Sequence, residues 1–233
     1  MSASGSYASP PCLAHEIDPT YFDPMATDLV QQRDVARWRR VERKRLSGLR
    51  EALGQDARSK ISTAICGQLK SVLAEHGIGP GSILSGYWPI KREPDLRPLF
   101  NELRTVGVEL ALPIVETKTA PLTFRRWLPG EKLERGDWGI PAPPGTAEQV
   151  EPDTVLAPCL GWTIEGFRLG WGGGYFDRTL AALCQRPLSI GIALNAAHIP
   201  TIYPQPHDIP LDLMVTETGS MTEMGGTSSS VSG

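Results

Sequence analysis

Apolar residues recur every fourth position at Ile61, Ile65, Leu69 and Leu73, a spacing that gathers them on one helical face. The predicted helix runs from about Asp56 to His76, with His76 as its C-cap and Gly77 and Gly79 stopping it. Before it, Leu29, Val30, Val35, Trp38, Val41, Leu46, Leu49 and Leu53 form a less regular stripe. This predicts a first helix from Asp28, a capping residue type, to about Leu53. The pattern then changes. Short apolar runs at 82–88 (closed by Pro89), 108–115, 122–127, 154–158, 188–194 and 211–216 read as strands, the second and third as a hairpin. Helical stretches at 95–106 and 176–184 lie between them. Strands alternating with helices predict an α/β class: one domain in three α/β/α layers, with a mainly parallel sheet. Residues 129–153, rich in proline and glycine, read as a long loop, and loops of that length are functional or disordered.

Both ends lose this periodicity. Residues 1–26 read as a mobile arm and 218–233 as a disordered tail, which leaves 27–217 for the folded domain. Apolar residues are 40% and charged residues 21% of the chain, ordinary for a globular protein. A net charge of -3 argues against a general nucleic-acid coat. Cys12, Cys66, Cys159 and Cys184 form no close pair, and no signal peptide precedes them. They read as reduced thiols of a cytoplasmic protein. No apolar run approaches the roughly 18 residues of a membrane span.

The chemistry concentrates in residues 166–178, Gly-Phe-Arg-Leu-Gly-Trp-Gly-Gly-Gly-Tyr-Phe-Asp-Arg. Gly170, Gly172, Gly173 and Gly174 mark backbone that turns tightly or meets a ligand closely. The run matches neither the dinucleotide fingerprint nor the P-loop. It lies between an apolar strand, 154–158, and a helix, the right address for a phosphate. Arg168 and Arg178 would add charge-assisted bonds, and Asp177 a metal ligand. The plainer alternative is a surface turn in which Asp177 and Arg178 pair with each other.

Three other groups bear weighing. The first helix carries Arg33, Arg37, Arg39, Arg40, Arg43, Lys44, Arg45 and Arg50 against Asp34 and Glu42. That is a solvated face or a polyanion contact. Glu93, just past a strand end, recognises an N–H edge or cation, or is a solvated turn residue. His207-Asp208 offers acid–base chemistry, or a polar loop entering a strand.

In combination these features form a known set. Residues 168–178 closely resemble the Arg-Leu-Gly-Tyr-Gly-Gly-Gly-Tyr-Tyr-Asp-Arg signature of 5-formyltetrahydrofolate cyclo-ligases, also called methenyltetrahydrofolate synthetases. The resemblance spans roughly 36–218. Tyr87-Trp88-Pro89 with Glu93, Leu112-Pro113, Phe124, Gly139-Ile140-Pro141, His207-Asp208, Leu211-Asp212 and Thr216-Glu217 follow in the family's order. The chain departs from the pattern at Thr163, where the family usually has Asp, and at Trp171 and Phe176, where it has tyrosines. Ala142 and Gln205 stand where acids are usual.

The resemblance implies a fold like that of sugar-phosphate isomerases and CoA transferases. It also implies a monomeric, cytoplasmic ligase of one-carbon metabolism. This enzyme would convert 5-formyltetrahydrofolate and ATP to 5,10-methenyltetrahydrofolate, ADP and phosphate, with Mg2+ and without nucleic acid. ATP is expected on Gly170, Trp171, Gly172, Gly173, Gly174, Tyr175, Phe176 and Asp177 with a basic pair, Arg39 with Arg43 or Arg40 with Lys44. Arg168, Tyr175 and Asp177 are the implied catalytic residues and Asp177 the metal ligand. Trp88, Glu93 and Tyr175 are expected on the pterin side. Alternatives are a non-catalytic relative that binds RNA through the basic helix, an isomerase-like enzyme on the same fold, or a structural protein with a decayed site.

Overall fold

The computed structural model describes residues 29–221. The expected arm, the Asp28 cap and the tail beyond Met221 lie outside the described residues. The chain divides after Trp38. Of the first unit, the described part is the opening of helix α1 (Leu29–Ala52); the second unit, Arg39–Gly233, holds the sheet. Helix α2 (Gln55–Glu75) buries Ile65, Leu69, Val72 and Leu73, the face its spacing predicts. It ends at His76, whose Nδ1 lies 2.8 Å from Val72 O, followed by Gly77 in the left-handed region.

The strands are β1 (Ile83–Ser85), β2 (Glu109–Ile114), β3 (Thr123–Arg126), β4 (Glu134–Arg135), β5 (Pro141–Ala142), β6 (Thr154–Pro158), β7 (Gly161–Trp162), β8 (Arg168–Leu169), β9 (Leu188–Ile192), β10 (Leu213–Thr216) and β11 (Gly219–Met221). Helix α3 (Arg97–Thr105) precedes β2, and α4 (Tyr175–Ala182) precedes β9. Seven strands form one sheet in the order β11-β10-β9-β6-β1-β2-β3. The five central strands are parallel, and β3 and β11 close the edges antiparallel.

Central strands must be apolar on both faces, because parallel crossovers cover both. Leu110, Leu112 and Leu156 accordingly join α2 and α3 in one cluster. Their neighbours Ala111 and Val155 join Phe124, with Phe176 of α4 and Leu183 packed against them. The strands' period of two thus feeds both layers. Among the described residues no helix is long and apolar enough to cross a membrane.

Four expectations need correction. The strand expected over 82–88 stops at Ser85; Gly86 lies so close to Phe100 that a Cβ there would sit 2.3 Å from its ring. The loop 129–153 contains the β4–β5 hairpin and a 3-10 turn, Asp137–Gly139. The hairpin β7–β8 stands between β6 and the glycine run, so the run leaves β8 and not β6. The sheet also continues past residue 218, because Gly219–Met221 pairs with β10. These strands of two or three residues are too short to show a period.

Candidate active site

The glycine loop leaves β8 and enters α4 at Gly174, an N-cap that supplies no side-chain bond to the helix. Two of its glycines are required by the backbone: Gly172 (φ 101°) and Gly174 (φ 64°) lie where a Cβ is strained. A Cβ at Gly173 would lie 2.7 Å from the Tyr175 ring. Gly170 has neither reason, since nothing comes within 4 Å of a Cβ placed there. Its bareness instead leaves the backbone open to a ligand. The first α4 N–H to find a carbonyl is that of Arg178, on Gly174 O at 3.1 Å. Donors ahead of it form an uncapped helix start, the natural seat of an anion.

The arginines divide by partner. Arg43 donates from Nε to Gly170 O at 2.8 Å, and a Cβ on Gly172 would lie 3.2 Å from its Cζ. No hydrogen bond engages its Nη groups among the described residues, so they stay open beside the loop. Burial lowers its pKa and the nearby Arg39 charge adds to this, against the upward pull of the Asp208 carboxylate. Arg39 is engaged at every guanidinium nitrogen, with Ile202 O (2.9 Å), Tyr203 O (2.9 Å) and both oxygens of Asp208 (3.1 and 2.5 Å). Arg40 and Lys44 are exposed. Of the two registers left open by the sequence, Arg39 with Arg43 is the one turned toward the chain's loops, and of that pair Arg43 keeps its Nη groups unengaged among the described residues.

Arg168, almost buried, donates to Asp177 Oδ1 (2.8 Å) and Ile209 O (2.7 Å). Asp177 Oδ1 also accepts from Ile209 N–H at 3.1 Å. Asp177 thus pairs with Arg168 and not with Arg178, which donates to Gly173 O at 2.7 Å. This knot clamps both ends of the loop. Asp208 is held by Arg39, so His207-Asp208 is no free acid–base pair; His207 is exposed.

Glu93 sits at the end of a tight turn whose Glu93 N–H bonds Ile90 O at 2.8 Å. Its two central residues, Lys91 (φ 45°) and Arg92 (φ 60°), are left-handed without being glycine. Glu93 is 7% exposed. Its Oε2 accepts from Ile90 N–H (3.0 Å) and its Oε1 from the Trp171 indole (2.9 Å). Arg50 Nη1 stands 3.9 Å from Oε1. Arg50 is itself buried, donates from Nη2 to Cys159 O at 2.7 Å, and has no partner at Nε or Nη1. Burial pushes the Glu93 carboxyl above the usual range, against the downward pull of Ile90 N–H, Trp171, Arg50 and Lys91.

Tyr175 stands edge-to-face with Trp138, ring centres 5.5 Å apart. Sequence reasoning missed Trp138. It is 67% exposed, left-handed at φ 54°, and borders a cavity of about 150 Å3 with Pro113, Ile114 and Ile140. The available signal was its place in the proline- and glycine-rich segment, a loop of a length that is functional or disordered. Two expected site residues turn elsewhere. Trp88 packs edge-on to Trp127 (6.1 Å), with Arg97 above its ring at 5.2 Å. Phe176 lies on the core cluster of Ala111, Phe124 and Val155, where a ring without a hydroxyl suits its apolar neighbours. Thr163 is buried in the β7–β8 turn, where Thr163 N–H bonds Phe167 O at 3.0 Å.

Such a site suits a protein that brings a phosphate-bearing ligand to a second ligand offering N–H donors. The comparisons make this specific. A sequence model of the 5-formyltetrahydrofolate cyclo-ligase family matches residues 35–217, and the chain belongs to that family. It is 30% identical over 183 residues to the 5-formyltetrahydrofolate cyclo-ligase of Mycolicibacterium smegmatis, covering 73% of this chain and 92% of that one. With the cyclo-ligase of Haemophilus influenzae it shares 27% over 136 residues, 55% and 73% of the two chains. The solved 5,10-methenyltetrahydrofolate synthetase of Aquifex aeolicus superposes with a TM-score of 0.69 at 31% identity, over 82% of this chain and 95% of that one.

Proposed function

We propose that this protein converts 5-formyltetrahydrofolate and ATP to 5,10-methenyltetrahydrofolate, ADP and phosphate. One juxtaposition carries the reading: Arg43 offers an open guanidinium beside the glycine loop, and an indole from the same loop ends on the buried Glu93 carboxylate. The triphosphate takes the loop N–H groups, the α4 start and Arg43. Glu93 accepts the N–H edge of the pterin, and Tyr175 with Trp138 offers aromatic edges to its rings. Arg168 and Asp177 hold the loop in place.

The formyl oxygen is a poor leaving group until it takes the γ-phosphoryl group and ADP departs. N10 then attacks the formyl carbon and loses its proton, and the carbon–oxygen bond breaks as phosphate leaves. Positioning and charge stabilisation suffice, and no protein nucleophile is needed. Mg2+ takes one or two carboxylates and fills its shell with water and phosphate oxygens. Among the described residues no group of three or more His, Cys, Asp or Glu gathers. Asp177 fits as a single ligand through Oδ2, because Oδ1 is engaged. When bound, the ion would neutralise charge on the transferred phosphoryl group. The test follows methenyltetrahydrofolate absorbance with 5-formyltetrahydrofolate and Mg-ATP. Product is expected; none from folded protein that binds ATP would overturn the reading.

A further inference from the structure

Trp171 is the one side chain between Gly170 and Gly174, a stretch otherwise of glycine. Its indole N–H, which can only donate, leaves the phosphate cradle and ends on Glu93 Oε1 at 2.9 Å. Lys91 Nζ lies 4.0 Å above the centre of its ring, and Arg50 Cζ 6.0 Å from it. Glu93 and Lys91 come from the same turn, held in its left-handed form at two residues that carry side chains. Strain of this kind persists where the surroundings over-determine it. Here it aims an acceptor at the indole N–H and a cation at the indole face.

Among the described residues the carboxylate has no other donor at hydrogen-bond distance from outside its own turn. Oε2 is fixed by Ile90 N–H, and Arg50 at 3.9 Å attracts without hydrogen bonding. Whatever settles the glycine loop therefore settles the indole, and the indole settles the plane of the carboxylate. We propose that Trp171 is a positioning residue that couples the two ligand sites: nucleotide on the loop fixes the indole, which holds Glu93 ready for the second ligand's N–H edge. The proposal rests on the cyclo-ligase reading above. Coupling of this kind is reciprocal, so folate must tighten nucleotide by the same factor.

The experiment titrates 5-formyltetrahydrofolate into the full chain by calorimetry, with and without saturating Mg-ADP, for wild type and Trp171→Phe. Phenylalanine keeps an aromatic face for Lys91 and removes the donor. In wild type, Mg-ADP is expected to tighten folate about tenfold, inside the usual coupling range. In Trp171→Phe the ratio should fall to about one, with thermal unfolding verifying that the variant is folded. Lys91→Met keeps the N–H bond but unbraces the ring, and should lower the ratio about two- to threefold. It decides the matter if Trp171→Phe does not fold. A wild-type ratio near one, or an unchanged ratio in the folded variants, overturns the coupling while the cyclo-ligase reading stands. Wild-type protein that binds neither ligand overturns both.

Discussion

The glycine loop and the Ile90–Glu93 turn meet at one hydrogen bond yet use left-handed backbone for opposite ends. In the loop that conformation falls on Gly172 and Gly174, where no Cβ resists it. In the turn it falls on Lys91 and Arg92, at a cost of about 1–3 kcal/mol each. The loop gives up side chains, which leaves its backbone and the α4 start bare. The turn keeps its side chains and tolerates strain so that one carboxylate is aimed. One region is a cradle made of backbone and the other a pointer made of side chain. Only the first announces itself in composition.

The strongest way to break this contrast is Glu93→Ala. It removes the acceptor of Ile90 N–H and the Trp171 indole, and the counter-charge of buried Arg50. Unsatisfied buried polar groups cost about 1–3 kcal/mol each, so a loss of about 3 kcal/mol in urea unfolding is expected, along with lost folate turnover. Near-wild-type stability would mean that the turn does not hold its carboxylate as described.

Next come the two arginines one turn apart. Arg43→Met should weaken ATP binding about tenfold or more, the worth of a charge-assisted bond, with little change in unfolding. Arg39→Met should do the reverse and cost about 2 kcal/mol of stability, since all its bonds are to the chain. Equal effects on both readouts would erase the distinction between them.

The pH dependence sharpens the pointer. Burial holds Glu93 above its unfolded value. Its contribution to stability is thus fully present below the unfolded pKa and is lost as pH rises through the folded one. Acid does not weaken the fold through Glu93. Folate binding runs the other way, since a protonated carboxyl no longer accepts at both oxygens. kcat/KM for folate should fall on acidification from a pH above the ordinary glutamate value of about 4.3. Glu93→Gln should abolish that limb.

The smallest effects separate the glycines. Gly172→Ala should lose about 1 kcal/mol or more, because alanine resists a positive φ. Gly170→Ala should leave unfolding within about 0.5 kcal/mol and weaken nucleotide binding. Melting curves and ADP titrations of the two variants check this.

Much of the scaffold was legible because its signals are local. β6 and β9 are mainly apolar runs, interrupted by Thr154 and Ser189 and buried on both faces as central parallel strands must be, and α2 shows its buried stripe by spacing alone. The β4–β5 and β7–β8 hairpins were not legible, since two residues have no period. The glycine run, Glu93 and the Arg39 or Arg40 register were all visible as candidates. Trp138 was not, because its exposure and its contact with Tyr175 exist only once the hairpin is folded.

The sequence by itself determined the long helices, the central strands, the family and the place of the glycine loop, all of which follow from spacing and from backbone freedom at glycine. Only the tertiary structure decided which polar groups are free. Arg39 and Arg43 are alike along the chain. Yet one ties down a loop from residue 202 to 208, and the other bonds Gly170, 127 residues away. Partner choice at such separations depends on how the sheet brings distant loops to one end, which no local pattern records. Trp171 makes the same point: a departure from the family's tyrosine, it becomes through folding the donor that joins the cradle to the pointer.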